Sequence, residues 1–73
     1  MREKEILTDG TKVELQLLPN TLGQIVITPP SRAGYRVKRF SSYLEALRAY
    51  NFLVLNALDY EEANLLLNEA ETI

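Results

Sequence analysis

The sequence predicts an α+β domain, an antiparallel β-meander of three to four strands followed by a C-terminal two-helix hairpin packed on one sheet face. Three observations predict it. Residues 3–28 hold strand-like runs broken by turn residues, the apolar period lengthens from two to about 3.6 after Ser41, and two Ser/Asp-x-x-Glu patterns follow that change. With 73 residues, 47% of them hydrophobic and 25% charged, the composition is that of one globular domain spanning residues 1–73.

The first strand is expected over about residues 3–8 and the second over 12–18, with Asp9-Gly10 between them as a two-residue type I′ turn. In the second arm Val13, Leu15 and Leu17 alternate with Lys12, Glu14 and Gln16, which gives one dry and one wet face. "LPNTLG" then interrupts, with Pro19 ending the ladder and Asn20 and Gly23 available for turn conformations. The β-branched block "QIVIT" fits a central strand over 24–28, buried on both sides. "PPSRAG" cannot continue a ladder, and a last strand is expected over 35–40. Alternation there sets Tyr35, Val37 and Arg39 on one face and Arg36, Lys38 and Phe40 on the other, with Arg36 and Lys38 taken to lie on the wet side.

Ser42 and Glu45 form a capping-box pattern that opens a helix over about 43–57. At 100° per residue Leu44, Leu47, Val54, Leu55 and Leu58 share its apolar face, and Tyr43, Ala46, Tyr50, Leu53 and Ala57 widen that face to roughly 200°. Asp59 and Glu62 repeat the pattern for a second helix over about 60–71, whose inner face is Tyr60, Ala63, Leu66, Leu67 and Ala70.

The net charge of −2 hides a division: −1 over residues 1–31, +4 over 32–48 and −5 over 49–73. Four of the eight basic residues, Arg32, Arg36, Lys38 and Arg39, fall within eight positions. Together with Tyr35 and Arg48 they are the candidate partner-binding residues. They offer a footprint for an acidic protein partner, or for nucleic acid with Tyr35 stacking on a base. Their plainer role is to solvate a strand and blunt an exposed edge. The acidic last 25 residues disfavour a polyanion, so a protein partner is the preferred reading and nucleic acid the alternative.

Asn51 falls among Leu47, Leu55 and Leu58 on the helical wheel, where it needs either a loop carbonyl of its own chain or a symmetry mate in a homo-oligomer. Phe52 and Leu65 project between polar neighbours. With the over-wide stripe, these features make Asn51, Phe52, Leu53 and Leu65 candidates for self-association, and a homodimer is expected.

The chain has no cysteine and no histidine, which removes the thiolate nucleophile and the commonest general base and metal ligand. Glu61 and Glu62 diverge by 100° on a helix, the glycines at 10, 23 and 34 are isolated, and Ser41 and Ser42 lack a nearby base. No catalytic, cofactor-binding or metal-binding residue is therefore assigned. A non-enzymatic interaction module is expected, without a cofactor. The start "MREKEILTDG" lacks an apolar leader and "FLVLNAL" is too short to span a bilayer, so a cytoplasmic protein without a membrane partner is expected.

Overall fold

A computed structural model of the chain describes residues 2–31 and 34–71. The elements follow in the order β1 (Arg2–Ile6), β2 (Lys12–Leu18), β3 (Leu22–Thr28), β4 (Arg36–Phe40), α1 (Tyr43–Asn56) and α2 (Tyr60–Glu71). The strands form a four-stranded antiparallel sheet in sequence order, with β2 and β3 central, and the helices cover one of its faces. The expected α+β architecture is what is found.

Turn chemistry departs from expectation at the first hairpin. Its loop spans Leu7 to Thr11: the Gly10 amide donates to the Leu7 carbonyl at 3.0 Å and the Leu7 amide to the Thr11 carbonyl at 2.8 Å. Only Gly10 has positive φ, at 98°, so the loop is a three-residue turn closed by a glycine bulge, not a type I′ turn. Asp9 organises it, accepting from the Thr11 amide and the Thr11 hydroxyl, both at 2.9 Å, and from the Tyr60 amide of α2 at 3.2 Å. The Thr11 amide, followed by its hydroxyl and the Tyr60 amide, holds the Asp9 carboxyl below the usual carboxylate range. Thr11 is itself fully buried.

The second hairpin turns through Pro19–Thr21, where Asn20 and Thr21 take φ of 64° and 57°. Gly23, expected to serve that turn, is a buried strand residue paired with Leu17 and Phe40. Its role is to let α1 approach. A Cβ built on Gly23 would lie 2.6 Å from the Ala46 Cβ and 2.9 Å from the Tyr43 Cα. Any side chain there would push the start of α1 off the sheet.

The close approach decides which side of α1 faces inward. Ala46, Ala49, Tyr50, Leu53 and Ala57 are buried against Val13, Leu15, Ile25 and Ile27, with Leu7, Ala63 and Leu67 completing the core. Burial raises the pKa of the Tyr50 phenol, and the nearby Glu5 and Glu3 carboxylates add to the effect. The set read as the centre of the apolar face is instead its outer margin: Leu47 and Val54 are half-buried, while Leu44, Leu55 and Leu58 are exposed. In α2 the inner face is as expected at Tyr60, Ala63, Leu66 and Leu67, and the Ala70 side chain lies outside the described ones. "QIVIT" is central but alternates between buried Ile25 and Ile27 and half-buried Gln24 and Val26, because the second sheet face carries no helix.

Both helix starts are capped as their sequences require. Ser42 Oγ accepts from the Glu45 amide at 3.2 Å, and Asp59 Oδ1 accepts from the Glu62 amide at 2.9 Å. The glutamates reach back one residue further than in a capping box, to the Ser41 hydroxyl at 3.0 Å and to the Leu58 amide at 2.8 Å.

Gly23→Ala tests the close approach. The Ala46 methyl and the Tyr43 backbone cannot both yield, so the substitution is expected to destabilise the fold by about 1–3 kcal/mol in urea unfolding, despite the gain in strand propensity. A neutral or stabilising effect would mean that α1 stands further from β3.

Candidate interaction surfaces

Register fixes the two sheet faces. The pairs Ile27–Arg36, Ile25–Lys38 and Gly23–Phe40 place Arg36, Lys38 and Phe40 on the helix-covered face, beside the core residues of β3. The alternation in β4 is as expected but the face is reversed. Arg36 is not on the wet side: half-buried, it reaches under α2 and donates through Nη1 to Asn64 Oδ1 at 3.1 Å and to the Asn64 carbonyl at 3.4 Å, and through Nη2 to Asn68 Oδ1 at 2.5 Å. Asn64 and Asn68 are one helical turn apart, so the planar guanidinium bridges both. Lys38 is half-buried with its ammonium 5.6 Å above the Phe40 ring, within cation–π reach.

Arg39 and Arg48 point elsewhere. Arg39 lies on the open sheet face, where its Nε donates to Gln24 Oε1 at 3.3 Å and Gln24 in turn donates to Gln16 Oε1 at 2.6 Å. Arg48 is exposed on α1, Tyr35 is exposed just ahead of β4, and Arg32 lies outside the described residues. Clustered in sequence, the described cations are dispersed in space. Arg36 and Lys38 serve the joint between sheet and helices, Arg39 the opposite face, and Arg48 the helical layer.

The self-association candidates divide as well. Leu53 is fully buried and belongs to the core, so it offers nothing to a partner. Asn51 is exposed, so its amide is solvated and carries no burial cost within the chain. Phe52 at 40% and Leu65 at 63% exposure stand on the outside of the helical layer as expected. Sequence reasoning missed the larger part of that surface: Leu44, Leu55 and Leu58 are 55%, 82% and 60% exposed. The signal that locates it is the alanine run Ala46, Ala49 and Ala57, since small residues mark the side on which a helix approaches most closely.

Beside this surface is an open depression of about 200 Å³ lined by Asn56, Glu62, Leu65, Leu66 and Glu69. Its carboxylates belong to α2, and Arg48 is the single basic residue from Ser41 onward. Among the described residues no group of histidine, cysteine or acidic side chains could hold a metal ion, and no helix is long and apolar enough to cross a membrane. Compared with known proteins, the chain matches no family model, and no curated protein or solved structure is significantly similar to it.

Arg36 and Arg39 separate a structural cation from a solvated one. Arg36→Glu sets a carboxylate against the Asn64 and Asn68 oxygens and is expected to cost about 1.5–3 kcal/mol, whereas Arg39→Glu should stay within about 0.5 kcal/mol. Urea unfolding of the two variants is the measurement. Equal effects would contradict the division of the basic cluster.

Proposed function

We propose that this chain is a small, non-enzymatic, cytoplasmic protein–protein interaction module that works as a homodimer through the outer face of its helical layer. One observation carries the reading. Leu44, Leu55, Leu58 and Leu65 are each more than half exposed on the same two-helix layer, together with Phe52 at 40%. Single exposed apolar side chains need no explanation, but five on one layer of so small a domain form a patch of the kind that marks an interface. Aliphatic and aromatic anchors suit a partner of the same composition, and a second copy supplies one.

The dispersion of the cations supports this over the alternative of a nucleic-acid accessory. A phosphate clamp needs several cations on one surface. Arg36 donates to α2, Arg39 faces the other way and Arg48 is on a helix. An acidic partner bound across "RVKR" would meet the same difficulty. The lack of histidine and cysteine, with the acidic residues at positions 59 and 62 used in capping, supports the non-enzymatic reading.

Sedimentation equilibrium tests it. Concentration-dependent dimerisation in the micromolar range is expected, and Leu55→Lys should weaken it by at least about tenfold, because a buried unpaired ammonium is costly, while leaving the unfolding curve almost unchanged. An 8.3 kDa species at every concentration would overturn the proposal. So would tight oligonucleotide binding by the monomer at physiological salt.

A further inference from the structure

We infer that the dimer is built by antiparallel packing of α1 against its own copy, with the two-fold axis passing beside Asn51. The inference rests on the homodimer reading above and specifies its contact. Asn51 is exposed midway along the outer stripe, and the apolar residues are disposed evenly about it. Leu47 and Leu55 lie four residues to either side; Leu44 lies seven before it and Leu58 seven after, just past the helix end. In an antiparallel pair centred on Asn51, each residue meets the one equally far beyond the axis. Leu47 therefore faces the second copy's Leu55, and Leu44 faces the end of its α1, where Leu58 begins the linker. Asn51 meets itself, and a carboxamide, being donor and acceptor at once, is self-complementary across a two-fold axis. A polar residue so placed fixes register in a helical interface.

Charge selects the antiparallel arrangement over the parallel one. Arg48 is exposed and lies on the same stripe, one turn before Asn51. A parallel pair would set Arg48 against Arg48 and align the helix dipoles, both unfavourable. In the antiparallel pair Arg48 lies at the height of the second copy's residues 54–55, where α1 runs into the linker to α2. That brings the guanidinium beside the depression lined by the second copy's Glu62 and Glu69. The one cation of the helical layer thus faces the acidic helix of its mate.

Area requires that α2 take part. From Leu44 to Leu55 the stripe is about 17 Å long and a helix is about 10 Å wide, a strip of about 170 Å² in projection. Stable dimers bury about 800 Å² per partner. In projection the two longer extents of the chain, 33 and 23 Å, give a face of about 760 Å². The α1 strip alone falls well short of that, so Phe52 and Leu65 of the same helical layer flank the α1 seam.

Because the chain has no cysteine, single cysteines report the geometry without background. Asn51→Cys sits on the axis and is expected to give a covalent dimer with a short bis-maleimide linker. Leu44→Cys should give none with itself, since the two copies of position 44 are offset by fourteen residues, about 21 Å along the axis. Both variants should retain the far-ultraviolet circular dichroism of the parent and react fully with a mono-maleimide. Arg48→Glu should raise the dimer dissociation constant about tenfold, and less at high salt. Cross-linking of Leu44→Cys as fast as Asn51→Cys would overturn the antiparallel pairing in favour of a parallel one. A dimer by sedimentation in which Asn51→Cys is not cross-linked would overturn α1 as the seam, and an unchanged dissociation constant in Arg48→Glu would overturn the charge pairing. A parent chain that stays monomeric fails instead at the homodimer reading itself.

Discussion

At Gly23 the backbone of β3 comes so close to α1 that a single methyl group on the strand would overlap Ala46. The remainder of the helical layer follows from that contact. Only two residues, Ser41 and Ser42, separate β4 from α1, so the helix must start directly over the end of the sheet where Gly23 pairs with Phe40. With the first turn pinned there, the alanine side of α1 faces the sheet, because alanine allows the shortest distance between helix axis and strands. Tyr50 and Leu53, further along, then fill the space over Val13, Leu15, Ile25 and Ile27. The leucines left outside have no second layer of their own chain to cover them.

The same register accounts for the fate of the positive charge. Once Gly23 faces the helices, Phe40 does too, and alternation carries Lys38 and Arg36 to that side of β4. An arginine at the margin of a covered face must find acceptors. Asn64 and Asn68 of α2 supply them, and the second helix is thereby tied to the edge strand as well as to α1. At the far end of the molecule Asp9 makes a comparable tie, joining the first hairpin to the start of α2, with the Thr8 hydroxyl donating to the Leu58 carbonyl beside it at 2.8 Å. Polar contacts at the two margins thus position α2, while apolar burial positions α1.

Much of this was legible in the sequence. Element order, the antiparallel meander and both capped helix starts can be read from turn residues, period and Ser/Asp-x-x-Glu spacing, because these signals are local. Which face of β4 and of α1 meets the core was not legible. Alternation divides β4 into Arg36, Lys38, Phe40 and Tyr35, Val37, Arg39, but which set meets the helices depends on cross-strand register, a non-local quantity. The wheel of α1 has leucines on one side and alanines with Tyr50 and Leu53 on the other; weighting by size points to the leucines, whereas steric fit at Gly23 selects the alanines. Asn51 changes meaning with that choice, from a buried amide in need of a partner to an exposed one available to a second chain. Gly23 reads as a turn residue beside Pro19 and Asn20, since a glycine needed for close approach carries no local mark.

Everything above turns on the orientation of α1, alanines inward and leucines outward, and thiol accessibility reads that orientation. In separate variants Leu55→Cys and Ala49→Cys, labelling rates at nanomolar chain concentration, where association is negligible, report which side faces water. The thiol at position 55 is expected to react at close to the rate of an unfolded peptide, while the thiol at position 49 is protected and reacts only as fast as the domain opens. Protection at position 55 together with rapid labelling at position 49 would contradict it, and would place the leucine stripe in the core.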